Sequence, residues 1–121
     1  MEEKRYDLEE RLLEYAAAVI RLVTRLPKTP AGNHIAGQLM RSGTSPLANH
    51  GEAQAAESTN DFVHKLTICL EELRESQRWL RLIQRVPLIN PASEVDPVLQ
   101  ETEELIRIFV TSVRTAARKK G

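Results

Sequence analysis

An all-α fold, an antiparallel up-down-up-down four-helix bundle, follows from three features of the chain. Its apolar residues recur at a helical period throughout and nowhere alternate as in a strand. Gly and Pro gather at a few places: Pro27 to Gly37, Gly43 to Pro46, Gly51, and Pro87 to Pro97. The seams between these breaks repeat at steps of four and three, the coiled-coil period, which predicts shallow crossing angles. The short connections favour antiparallel neighbours. The expected helices span about residues 5–26, 32–57, 60–86 and 93–118 of one domain covering 1–121.

The first segment places Leu8, Leu12, Tyr15, Val19, Leu22 and Leu26 on a strict four-three repeat. Leu13, Ala16, Ile20 and Val23 widen it to the stripe a bundle helix needs. Pro27 stops it. The third segment follows Ser58-Thr59-Asn60-Asp61, a run of good N-cap residues. Its seam is Phe62, Leu66, Cys69, Leu73, Ser76, Leu80 and Ile83. The fourth is expected to start at Ser93, with Asp96 three residues on completing a capping arrangement. Its seam is Val95, Leu99, Thr102, Ile106, Phe109, Val113 and Ala116. In the third and fourth segments acidic residues come first and basic residues last, as the helix dipole favours.

Composition narrows the function classes. Of the 121 residues 41% are hydrophobic and 28% charged, with zero formal net charge, which argues against an overall cationic nucleic-acid binder. One cysteine, Cys69, leaves no internal disulfide and no cysteine-based zinc site within a chain. The N-terminus MEEKRYDLEE is acidic and lacks the apolar core of a signal peptide. No apolar run approaches the roughly 18 residues of a membrane span. A cytoplasmic protein is expected.

The second segment differs from its neighbours. Stepping from Ile35 gives Leu39, Ser42, Pro46, Asn49, Ala53 and Ala56, so small and polar residues hold positions where the other helices carry Leu. Pro46 deprives the Ser42 carbonyl of its usual partner, and Ser42 and Ser45 are placed to satisfy freed backbone groups. Small residues there let a neighbouring helix approach closely. Arg41, Ser45 and Asn49 follow at four-residue steps and Glu52 at three, so with Ser42 they form one polar constellation. A buried Arg41–Glu52 pair, within or between chains, would fix helix or subunit register if fully paired.

These residues carry a resemblance. The run from Arg41 through Ser42, Ser45, Asn49, Glu52 and Ala53 resembles the Arg-Ser-x-x-Ser-x-x-x-Asn-x-x-Glu-Ala segment of the four-helix-bundle proteins encoded by intervening sequences within bacterial 23S ribosomal RNA genes. Phe62, Leu66, Cys69, Glu72, Trp79 and Leu80 match the helix that follows it in that family. The resemblance implies an antiparallel four-helix bundle assembled into a ring, commonly a homopentamer, with no established catalytic activity. A related accessory protein of diversity-generating retroelements is basic, binds nucleic acid and partners a reverse transcriptase. Two departures stand out: position 50, often large and apolar or aromatic in the family, is His50 followed by Gly51, and the chain is neutral.

Catalytic and metal chemistry find little support. A di-iron carboxylate bundle needs Glu-x-x-His on two helices, and no Glu is followed by His at that spacing. Cys69 lies on an apolar seam, as a small core residue does. No metal, cofactor or enzymatic activity is expected. Trp79, Leu82 and Val86 form a second apolar stripe on the third helix, Leu13 and Ile20 broaden the first, and Val98 and Leu105 the fourth. Such surplus faces point to self-association. The C-terminal Arg114, Arg118, Lys119 and Lys120 are matched to the dipole of a helix end, and are the candidate nucleic-acid contacts. The sequence therefore points to a homo-oligomeric, pentameric assembly or binding module. The alternative is an RNA- or DNA-binding accessory protein with a polymerase partner.

Overall fold

The computed structural model describes the backbone of residues 2–120 and the side chains of residues 8–119. Four α-helices, α1 (Glu2–Val23), α2 (Pro30–Gln54), α3 (Thr59–Arg85) and α4 (Asp96–Lys120), account for most of it, and no strand occurs among the described residues. Each pair of neighbouring helices runs antiparallel. Glu9–His50 and Val19–Gly43 meet between α1 and α2, while Ser42–Ser76 and Glu52–Lys65 join α2 to α3. Gln77–Glu103 and Gln84–Asp96 join α3 to α4. Arg11–Glu101 joins α1 to α4, and Arg25–Glu94 joins the turn after α1 to the one before α4, closing the ring. In every case a rising number on one helix meets a falling number on the next, which is the up-down-up-down bundle.

The helix ends differ in detail from their expected positions. α1 stops at Val23, and its chain continues as tight turns in which Arg25 N–H bonds to Leu22 O and Leu26 N–H to Val23 O. Leu26 stays buried nonetheless. α2 starts two residues early because Thr29 is a working N-cap, accepting from Gly32 N–H at 3.1 Å, and Pro30 suits the first helical position. Gly32 is needed there: a Cβ would lie 1.9 Å from the Pro27 carbonyl oxygen. Ser58 caps α3 as expected, its hydroxyl accepting from Asp61 N–H at 3.1 Å. Ser93 does not cap α4. It sits inside a 3₁₀ turn, Ala92–Val95, with no side-chain cap, and α4 begins at Asp96 with Pro97 behind it.

The core is the seam of each helix. Leu12, Val19, Leu39, Leu73, Leu80 and Phe109 are almost completely enclosed. Ile89 and Val95, in the connection from α3 to α4, plug one end of the bundle. No described helix is long and apolar enough to cross a membrane.

Candidate functional site

At mid-height the core is polar. Ser42 of α2 and Ser76 of α3 share a hydrogen bond of 2.7 Å, and Tyr15 of α1 and Thr102 of α4 share another of 2.7 Å. Thr102 also donates to Val98 O at 2.7 Å, so the Tyr15 hydroxyl is the donor between them. Burial raises the Tyr15 pKa. All four residues are buried, one from each helix, and together they form a satisfied layer. Such a layer specifies register, because sliding any helix by a turn would orphan a buried hydroxyl.

The constellation on α2 divides around this layer. Ser42 points inward. Asn49 folds back on its own helix, donating to Ser45 O at 3.1 Å and Ser45 Oγ at 2.9 Å. The hydroxyls next to Pro46 are used elsewhere than expected: Ser42 reaches Leu39 O, and Thr44 donates to Met40 O at 2.8 Å. Cys69 of α3 adds an S–H donor to the Pro46 carbonyl at 3.6 Å. The buried Arg41–Glu52 pair does not form within the chain. Three helical turns separate the two, about 16 Å along the axis. Arg41 instead meets Glu72 at 2.9 Å and Glu75, and Glu52 meets Lys65 at 2.6 Å, all toward α3 and solvent-accessible. The Trp79 indole N–H, and then Arg41, hold the Glu75 carboxyl below the usual carboxylate range.

Outside this cluster α2 is flanked by uncovered apolar side chains. α1 turns Arg11 toward α4, so Leu13 and Ile20 lie on the opposite shoulder, beside α2, with 47% and 43% of their surface exposed. α2 turns Ser42 toward α3, which leaves Met40, 41% exposed, on the α1 side. On the other flank α3 turns Gln77 and Gln84 toward α4. Trp79, Leu82 and Val86 therefore lie toward α2, where the Trp79 ring stands edge-on to His34 at 5.9 Å. Between the flanks the outer ridge of α2 carries Gly37, Ala48, Gly51 and Ala55, all exposed. The surplus stripe expected on α4 is absent: Leu105 is fully enclosed in the core, and Val98 is half-buried against it.

Other candidate chemistry is sparse. Burial pushes the Cys69 thiol up to about 12, which keeps it protonated and unreactive at neutral pH. Among the described residues no three His, Cys, Asp or Glu side chains gather as metal ligands would. Arg114, Arg118 and Lys119 are exposed, and none has a carboxylate in ion-pair range among the described residues. The side chain of Lys120 lies outside the described residues. The buried polar layer had a visible signal in the sequence, since Ser76 and Thr102 interrupt otherwise apolar seams.

Comparison with known proteins places this geometry. The family model described as 23S rRNA-intervening sequence protein matches residues 4–111. A crystal structure from Bacteroides thetaiotaomicron, described as a protein of unknown function from the S23 ribosomal protein family, superposes with a TM-score of 0.80 at 30% identity, covering 87% of this chain and 96% of that one. No curated protein matches. Fold, motif and match agree, and the chain belongs to the 23S rRNA-intervening sequence protein family.

Proposed function

We propose that this protein is a non-enzymatic assembly module, a homo-oligomeric ring that presents one surface repeatedly to a partner. The observation that carries this reading is the pair of apolar flanks on either side of α2, Leu13, Ile20 and Met40 on one side and Trp79, Leu82 and Val86 on the other. Leaving such side chains in water is unfavourable, and a second copy of the same chain covers them by symmetry. Arg41, with Glu72 and Glu75, and Glu52, with Lys65, rim this surface and supply its polar register. Ser42, Ser45 and Asn49 hold the Pro46 segment of the helix in shape from within. The ring is a pentamer on the resemblance to the family.

The second reading is a nucleic-acid accessory role, with a polymerase as its partner. Arg114, Arg118 and Lys119, exposed and without a carboxylate in ion-pair range among the described residues, favour it, since a ring would repeat these weak phosphate contacts in every subunit. Size-exclusion chromatography with light scattering, read at two absorbance wavelengths, separates the readings. A multimer free of nucleic acid that persists in high salt is the expected result. Nucleic acid that travels with the multimer and is shed at high salt would favour the second reading, and a monomer would refute the ring.

A further inference from the structure

At the end of the bundle where α2 and α4 finish, the four helices leave an open cleft of about 380 Å³, toward the small end of the range for ligand pockets. Leu8, Phe62, Leu66 and Phe109 give it an apolar floor, one side chain or more from α1, α3 and α4. The hydroxyls of Ser112 and Thr115 and the amide of Gln54 bring polar groups to it. Lys119 is the one charged side chain among the described lining residues.

His50 forms part of the same wall, 3% exposed and edge-on to Phe109. The Gln54 side-chain amide donates to its Nε2 at 3.4 Å, so the ring proton is on Nδ1. That Nδ1–H is buried and meets no acceptor within hydrogen-bond range among the described residues. The Glu9 carboxylate stands 3.9 Å away, on a side chain 62% exposed. Elsewhere in the core the buried hydroxyls are matched donor to acceptor, so an orphaned donor beside an open cleft marks a place where a ligand oxygen gains most.

We infer that this cleft binds a small amphipathic carboxylate, its apolar body against Phe62, Leu66 and Phe109 and its oxygens shared between the Lys119 ammonium and the His50 Nδ1–H. A carboxylate supplies both a counter-charge to Lys119, which meets no carboxylate among the described residues, and the acceptor that His50 Nδ1–H does not find among them. The inference is independent of self-association, because the cleft lies at the bundle end and not on the flanks of α2.

The test is a heteronuclear NMR titration of the full chain with octanoate, repeated with octan-1-ol and octylamine. Octanoate should give saturable shifts at the Leu8, Leu66 and Ala116 methyls and the His50 ring, with a dissociation constant below about 1 mM. Lys119→Ala should weaken it about three-fold. Glu9→Gln should tighten it, by removing a negative charge beside Nδ1, and should leave octan-1-ol unaffected. Thr115→Trp, at the exposed rim, should block binding with the helical circular dichroism unchanged. Octanoate shifts that fail to saturate by about 10 mM would overturn the assignment. Equal shifts from octan-1-ol or octylamine, or insensitivity to Lys119→Ala, would also overturn it, and these controls decide even if Thr115→Trp fails to fold.

Discussion

On its inner side α2 carries Gly43, where an added Cβ would lie 2.8 Å from both methyls of Val19; on its outer side it carries Gly37 and Gly51, where a Cβ would meet nothing within 4 Å. A glycine inside a helix costs about 1 kcal/mol relative to alanine. Gly43 repays that through the close approach of α1. The outer glycines have no such return inside the chain, and they lie on the ridge between the two uncovered apolar flanks. One residue type on one helix thus marks a packed face on the inside and an uncovered one on the outside. The same contrast holds for the neighbours Leu39, wholly enclosed, and Met40, 41% exposed.

Substitutions can break this contrast, and the largest effect is expected at Leu39. Leu39→Ala should destabilise the fold by about 2–5 kcal/mol through loss of packing and a residual cavity, whereas Met40→Ala should change the isolated subunit by no more than about 0.5 kcal/mol. Urea unfolding of both measures the difference, and equal losses would show that the faces are wrongly assigned. Next comes the polar layer. Thr102→Val leaves the Tyr15 hydroxyl without its acceptor and should cost about 1–3 kcal/mol. The paired change Thr102→Val with Tyr15→Phe should recover much of that loss in a double-mutant cycle.

The glycines sharpen the contrast further. Gly43→Ala gains helix propensity but forces a Cβ onto the stiff, enclosed Val19. Overpacking of this kind costs about 1–3 kcal/mol, which exceeds the gain. Gly51→Ala should instead raise subunit stability by about 0.5–1 kcal/mol, read as a higher midpoint at unchanged slope. The smallest effect concerns pH. Burial lowers the His50 pKa below its ordinary 6.5, with Glu9 opposing weakly. The unfolded chain therefore binds the proton first as pH falls. This contribution is fully present above about 6.5 and is lost on acidification toward the folded pKa. His50→Gln should flatten the stability profile in that window, and an unchanged profile would show that other groups set it.

Much of the bundle was legible because three helices obey a strict apolar period. The seam of α1, from Leu12 through Leu26, is buried residue for residue. The order of steps misled at Leu105: four then three from Thr102 reaches Ile106, three then four reaches Leu105, and with Val95, Thr102, Phe109 and Ala116 buried at seven-residue steps the core takes Leu105 while Ile106 is half-buried. The constellation on α2 was legible as polar residues but not as pairs. Spacing within one helix says nothing of Glu72 and Glu75 on α3, which take Arg41. Ser93 failed as a cap because Pro91 and Pro97 on either side leave room for a 3₁₀ turn but not for an earlier helix start. The layer of Tyr15, Ser42, Ser76 and Thr102 needed the packing of four helices to appear.

The central claim is that the outer flanks of α2 are the self-association surface. Sedimentation velocity of the wild-type chain beside Ile20→Glu with Leu82→Glu, two exposed positions outside the core cluster, tests it most directly. The wild type should sediment as a ring-sized multimer, and the double variant as a monomer with the same helical circular dichroism. A wild-type monomer, or a double variant that remains fully multimeric, would contradict it.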